Sequence, residues 1–235
     1  MASIYLIRHG QASFGSDNYD RLSDLGRRQA TLTGEFLART GVRFDTAYCG
    51  TLERQQDTAK LALAAQDSSV PLHIDARLDE VRNDEHLEYL LPKLLAQRPD
   101  LQAIVDAGLD SSKRFQKIIE AVFNYWVTPE GEDPNIQSWT EYSGLVHAAL
   151  RHIVETEGAG KTTAVFTSGG TIAVFVAAVL GLPGSATYQF YEPVFNCSIT
   201  QLFYNAERVS LSYFNDCSFL RQLSAERGER LVTYR

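Results

Sequence analysis

The sequence predicts an α/β fold. It is read as a three-layer sandwich, a mostly parallel sheet with helices on both faces and a helical lid insertion. Three observations carry that expectation. Apolar strands and helical segments alternate as β-α-β-α-β from the first residues to Ile74. The alternation then lapses into helical patterns over about 81–137. A second strand–turn–helix unit, Thr162 to Leu180, resumes it. The 235 residues are read as one domain, 1–235, long enough to bury a large core.

The first strand, Ile4-Tyr5-Leu6-Ile7, is a short apolar run of the buried parallel type. It stops at Arg8, His9 and Gly10, which places reactive side chains at the carboxyl edge, where open α/β sheets bind ligands. Gly10 is expected to turn the backbone sharply and to let it approach a ligand. After a polar loop, Gln11 to Arg21, Ser23 reads as an N-cap with Asp24 in the first turn. That helix runs from Asp24 to Thr40 and is closed by Gly41. Phe44 to Cys49 is the second strand, Leu52 to Ala65 the second helix and Val70 to Ile74 the third strand.

Within the insertion, His86 to Gln97 reads as one helix and Asp100 to Ala107 as a shorter one. Ser112 to Val127 has the clearest periodicity, with Phe115, Ile118, Ile119, Val122, Phe123 and Trp126 on one face. Pro129, Gly131 and Pro134 mark Thr128 to Asn135 as a loop. Trp139 to Glu157 returns to the core as a helix. The strand Thr162 to Thr167 leads through Ser168-Gly169-Gly170 into an apolar helix from Thr171. Ser198 to Tyr204 and Arg208 to Phe214 alternate with period two and read as an edge hairpin. The charged tail from Arg221 is expected to be mobile except where it docks.

The net charge of −7 argues against nucleic acid or an anionic membrane as partner. It leaves room for an anionic small molecule, because a few focused cations can dominate one cleft. Cys49, Cys197 and Cys217 are odd in number and lack metal-ligand spacing, which suits reduced thiols in a cytoplasmic protein. Cys49 reads as a small buried hydrophobe. The run before Arg8 is too short for a secretion signal, and Thr171 to Leu182 is too short for a membrane span. No dinucleotide glycine fingerprint, Walker-type loop or metal motif appears, so no cofactor is expected. Oligomeric state stays open; the edge hairpin is able to pair with a second subunit as a homodimer.

An imidazole beside a guanidinium suits a phosphoryl group, since the cation holds the oxygens while a neutral ring nitrogen attacks phosphorus. Arg54 lies in Gly50-Thr51-Leu52-Glu53-Arg54-Gln55-Gln56-Asp57-Thr58-Ala59, just past the second strand, and faces the same edge. Arg8 and Arg54 can therefore bracket one phosphate, although Arg54 alone also fits a solvated helix face.

Leu6-Ile7-Arg8-His9-Gly10-Gln11 resembles the signature of the histidine phosphatase superfamily, the phosphoglycerate mutase-like group. Leu52 to Ala59 is similar to that family's second motif, and Leu78-Asp79-Glu80 to the stretch presenting its acid. Ala164 to Gly170 and Asn196-Cys197-Ser198-Ile199-Thr200 resemble later family blocks. The resemblance implies a metal-independent phosphatase that hydrolyses a small-molecule phosphomonoester through a phosphohistidine. His9 would be the nucleophile, Glu80 the proton donor, and Arg8 and Arg54 the phosphoryl clamp. Glu80 competes with an exposed acidic loop, because Asp79, Asp84 and Glu85 crowd the same stretch.

Two departures stand out. Family members carry a second histidine where this chain has Ser168, which can donate a hydrogen bond but brings no charge. The expected handicap is about 1–2 kcal/mol, roughly tenfold or somewhat more in rate. The backbone amides of Gly169 and Gly170, at a helix N-terminus, are expected to meet an anion. The family's asparagine after the nucleophile is replaced by Gly15, leaving Gln11 and Ser13 or Ser16 as candidate phosphate donors. His86 is the candidate stand-in for the missing histidine, against a surface histidine on the insertion's first helix. Two alternatives therefore stand beside the phosphatase: a phosphoglycerate mutase, and a catalytically impaired module that binds phosphorylated ligands.

Overall fold

The structure is a computed structural model that describes residues 1–13, 20–66, 69–109 and 111–234. Among the described residues six strands form one sheet: β1 (Ala2–Arg8), β2 (Thr46–Cys49), β3 (Leu72–Ile74), β4 (Thr162–Thr167), β5 (Ile199–Tyr204) and β6 (Val209–Asp216), in the order β3-β2-β4-β1-β5-β6. The four strands from β3 to β1 run parallel, and the hairpin β5-β6 adds two antiparallel strands at the other edge. The expected α/β class and its mostly parallel sheet are observed.

Strand β1 shows why the sheet is covered on both faces. Ala2, Ile4 and Leu6 pack into one apolar cluster, Tyr5 and Ile7 into the other, as a period of two requires. The second cluster is roofed by α1 (Asp24–Arg39), α2 (Glu53–Ala64) and α10 (Ser218–Arg227). The first is covered by α6 (Ser112–Trp126), α7 (Trp139–Glu157) and α8 (Gly169–Val179). Ser23 caps α1 as expected, accepting from Gly26 N at 3.0 Å, and Gly41 follows it with φ +79°.

Several elements differ from expectation, each for a local reason. The single helix read over His86 to Gln97 is two, α3 (Asn83–Tyr89) and α4 (Leu91–Gln97). Pro92 has no N–H to continue the ladder and sits in the first turn of α4, where none is needed. Asp100 to Ala107 corresponds to α5 (Pro99–Asp106). The loop Thr128 to Asn135 holds a 3-10 turn at Pro129–Gly131, and a short helix, α9 (Tyr188–Tyr191), was not anticipated. Helix α8 takes in Gly169 and Gly170 in place of starting at Thr171.

The tail is ordered into α10 and then docks. Leu231 is buried, and the buried Gln29 side chain donates to Leu231 O and Thr233 Oγ1. Gly10 is not in a left-handed conformation. Its requirement is space: a Cβ there would lie 2.3 Å from Gly26 O, and one on Gly26 would lie 2.0 Å from Gln11 O. Two glycines back to back thus press the end of β1 against α1. Among the described residues no helix is long and apolar enough to cross a membrane.

Candidate active site

Strands β1 and β4 end level with each other, Arg8 opposite Thr167, and His9 N extends the ladder to Thr167 O at 2.9 Å. His9 and Ser168 therefore leave adjacent strand ends side by side. The His9 ring is buried, and its Nδ1 lies 2.7 Å from Gly10 O. A carbonyl only accepts, so Nδ1 carries the proton and Nε2 keeps its lone pair. Nε2 accepts from Arg54 Nε at 3.2 Å. Burial first, then the Arg54 and Arg8 charges, hold the His9 pKa well below 6.5. The ring is neutral at pH 7.

Arg54 sits in the first turn of α2. The preceding turn is pinned by Asp79, which accepts from Thr51 N and Thr51 Oγ1, both at 2.6 Å. One turn on, Thr58 Oγ1 donates to Arg54 O at 2.7 Å and accepts from Gly10 N at 3.0 Å, which ties the arginine's helix to the loop after His9. Asp20 accepts from Arg54 Nη1 at 2.7 Å and from Glu53 N at 2.8 Å. Arg54 is thus a buried site residue and not a solvated one.

Arg8 Nη1 donates to Val194 O and, at 2.9 Å, to Tyr234 O. The docked tail thereby reaches the site. Asn196 closes the same corner: its side chain donates to His9 O at 3.2 Å, its N–H to Thr233 O, and its Oδ1 accepts from Thr233 Oγ1.

Glu80 follows the 3-10 turn Ala76–Leu78. Its Oε1 accepts from Val81 N and Gly170 N, each at 2.9 Å. The Gly170 amide, expected to meet a bound anion, is taken instead by the Glu80 carboxyl. Desolvation raises the Glu80 pKa against the opposing pull of Arg54, Val81 N–H, Arg8 and Gly170 N–H. With Oε1 taken by two donors, any proton the carboxyl carries belongs on Oε2. Two of the acidic neighbours have other partners: Asp79 holds Thr51, and Glu85 pairs with Arg82 at 3.1 Å.

Ser168 is fully buried and its Oγ accepts from Gln55 Nε2 at 2.8 Å. At Gly169 an added Cβ would lie 3.2 Å from the Tyr191 ring and 3.7 Å from Arg8 Nε, so the first turn of α8 borders the guanidinium. Gln11 is turned toward α1, where its Oε1 accepts from Ser23 Oγ at 2.9 Å. Ser13 lies beside the Ala12–Leu22 bridge and donates its N–H to Arg21 O at 2.7 Å. Gly15 and Ser16 lie outside the described residues.

Both readings of His86 need correction. It is neither on the surface nor hydrogen-bonded to a site residue; it is 2% exposed, with its ring 4.1 Å from that of Trp126. Burial lowers its pKa to about 4. All three cysteines are buried, and burial pushes the Cys49 thiol up to about 11, in keeping with a packing role. Among the described residues no group of three or more His, Cys, Asp or Glu is placed to hold a metal ion.

Sequence reasoning missed Gln55, Asp20 and the tail. Gln55 stood next to Arg54 in the motif, and a glutamine at a buried helix start was the available signal. Asp20 had none beyond its polar loop, and the tail's charge pointed away from docking. Asn196 lay in a recognised block without an assigned contact.

Fold and edge together define a class: an open α/β protein with an imidazole under the field of two guanidiniums, suited to a tetrahedral oxyanion. The model of the histidine phosphatase superfamily, branch 1, matches residues 4–217, and the chain belongs to that superfamily. A phosphoglycerate mutase of Candida albicans is 34% identical over 87 residues, 34% of this chain and 35% of that protein. That match spans little more than a third of the relative. A 2,3-bisphosphoglycerate-dependent phosphoglycerate mutase of Bartonella henselae is 26% identical over 197 residues, 77% of this chain and 82% of its own length. Among solved structures, a phosphoglycerate mutase from Bacillus anthracis superposes with a TM-score of 0.66 at 20% identity, covering 93% of this chain and 94% of its own. The alpha-ribazole phosphatase from Shigella flexneri gives 0.64 at 21%, covering 91% and 96%. Both structures share the fold. Proteins of this superfamily are phosphatases or mutases, which makes phosphoryl transfer the general activity implied.

Proposed function

We propose that the chain hydrolyses a small-molecule phosphomonoester through a phosphohistidine on His9. The observation that carries this is the His9 tautomer: Nδ1–H bound to Gly10 O and a lone pair on Nε2, facing Arg54. In the first step Nε2 attacks phosphorus and the bond from phosphorus to the leaving oxygen breaks. Glu80 passes its proton from Oε2 to that oxygen. Arg54 and Arg8 offset the charge on the phosphoryl oxygens, and Ser168 adds a neutral donor. In the second step the Glu80 carboxylate takes a proton from water as the water oxygen attacks phosphorus. The N–P bond breaks, inorganic phosphate leaves, and His9 regains its lone pair. The two guanidiniums supply the positive charge, so a metal has no assigned part.

Two findings favour second readings. Relatives named phosphoglycerate mutase point to a mutase, which would have to return the phosphoryl group to a retained substrate. Ser168 in place of a histidine points to a binding module. Incubation with p-nitrophenyl phosphate and EDTA, beside a His9→Ala variant, tests all three. Phosphate release by the parent alone, with an acid-labile phosphoenzyme trapped on brief mixing, is expected. Equal inactivity across several phosphomonoesters and pH values overturns hydrolysis, and interconversion of 2- and 3-phosphoglycerate would identify a mutase.

A further inference from the structure

We infer that Gln55 and Ser168 work as one unit: Gln55 aims the Ser168 hydroxyl proton at the transferred phosphoryl group. The inference rests on the phosphoryl-transfer reading above and adds to it a positioning residue and a donor. The carboxamide of Gln55 is fully buried, and both of its N–H groups are used. One meets Leu78 O at 3.1 Å and the other Ser168 Oγ at 2.8 Å. Leu78 O can only accept, so the amide cannot be turned over without setting its oxygen against that carbonyl. The price of this orientation is visible: Gln55 Oε1 is buried without a hydrogen-bond partner.

The place for the carboxamide is built. A Cβ at Gly50 would come within 1.9 Å of Gln55 Oε1 and 2.5 Å of Asp79 Oδ1, so only glycine at 50 leaves the amide room. Because Ser168 Oγ accepts from Gln55, its own hydrogen is directed elsewhere, and Ser168 makes no capping bond to α8. Among the described residues its hydroxyl has no other hydrogen-bond partner. Ser168 stands level with His9 on the neighbouring strand end, two residues before the Gly170 amide that holds Glu80. The remaining direction is the strand edge where Arg54 meets His9 at 3.2 Å and Glu80 meets the Gly170 amide. A serine alone is too short to imitate a charged imidazole; a serine whose lone pair is occupied by an amide becomes a directed donor.

A double-mutant cycle tests the unit. Ser168→Ala and Gln55→Met are each expected to lower kcat on an alkyl phosphate roughly ten- to a hundredfold with KM little changed, because the bond tightens in the transition state. The double variant should be no worse than the poorer single one. Gln55→Glu keeps the shape but lacks an N–H for Ser168. Its carboxylate draws the hydroxyl hydrogen to itself, so kcat should fall as far as in Ser168→Ala; this variant also serves if Gln55→Met does not fold. Binding of orthovanadate, followed by calorimetry, should weaken in the same order.

Multiplying effects in the double variant, or unchanged kcat and vanadate affinity in Ser168→Ala, overturn the unit. If the parent hydrolyses nothing, hydrolysis fails while the vanadate series still decides the pair.

Discussion

For the first step of the proposed reaction a neutral imidazole and a protonated carboxyl must coexist, and burial moves both groups in the direction needed. His9 is driven below 6.5 by desolvation and two guanidiniums, so the neutral nucleophile persists into acid. Glu80 is driven above 4.5 by desolvation, so its proton persists to higher pH than on an exposed glutamate. The rate should follow the product of neutral His9 and protonated Glu80. It falls in acid as His9 takes up a proton and falls toward alkali as Glu80 loses one. Glu80→Gln should lower kcat on an alkyl phosphate about 10²- to 10⁴-fold and remove the alkaline limb of the pH profile. The loss should be smaller with p-nitrophenyl phosphate, whose leaving oxygen needs no proton. An unaltered alkaline limb in Glu80→Gln would assign the acid elsewhere. The sequence exposed Arg8, His9 and Arg54 because each stands at or just beyond a strand end. Glu80 among three acidic neighbours was separable only by family likeness, since its partners Gly170 and Arg54 are remote in the chain.

At the scale of elements, the segment after α10 acts as a strap. Leu231 anchors it in the cluster beneath α1 and α10, Thr233 bonds to Gln29 and Asn196, and Tyr234 O receives Arg8. Leu231→Ala removes the anchor; burial of such a side chain is worth about 2–5 kcal/mol, more than a short strap withstands locally. Hydrogen exchange at 231–234 should accelerate sharply, and phosphate binding at Arg8 should weaken while the far edge of the sheet keeps its protection. Uniform loss of protection across the chain would make Leu231 an ordinary core residue. Helix and strand periodicity revealed the sheet and most helices, because each buries a face of its own. The strap buries single residues at no regular spacing, so pattern reading left it as a charged tail. The split at Leu90 was legible in Pro92, whose missing N–H outweighed the apolar spacing around it.

Across the whole molecule the insertion and the sheet share one core. Leu90, Leu94, Ile118, Val122, Phe123 and Trp126 belong to the same apolar cluster as Ile4, Leu6 and Val165. His86 is buried within that continuity, and its proton equilibrium therefore bears on global stability. Unfolded, its imidazole titrates near 6.5; folded, burial lowers it to about 4. The unfolded chain binds the proton first, so this contribution is complete above pH 6.5 and is lost as pH falls toward 4, by roughly 3 kcal/mol in all. His86→Phe keeps a ring against Trp126 and should flatten the acid-side loss of stability between pH 7 and 4.5, measured by urea unfolding. Parallel losses in parent and variant would show that His86 takes up its proton equally in the folded and unfolded states.

Both of the chain's tryptophans, Trp126 and Trp139, lie 5.3 Å apart in a ring cluster with Phe123 and Tyr142, and Phe123 also faces Tyr191. Tyr142 and Tyr191 in turn feel the charge on Glu80. The protein's tryptophan emission thus originates in one neighbourhood, one ring away from Glu80. A spectroscopist would have no second indole elsewhere to dilute that signal.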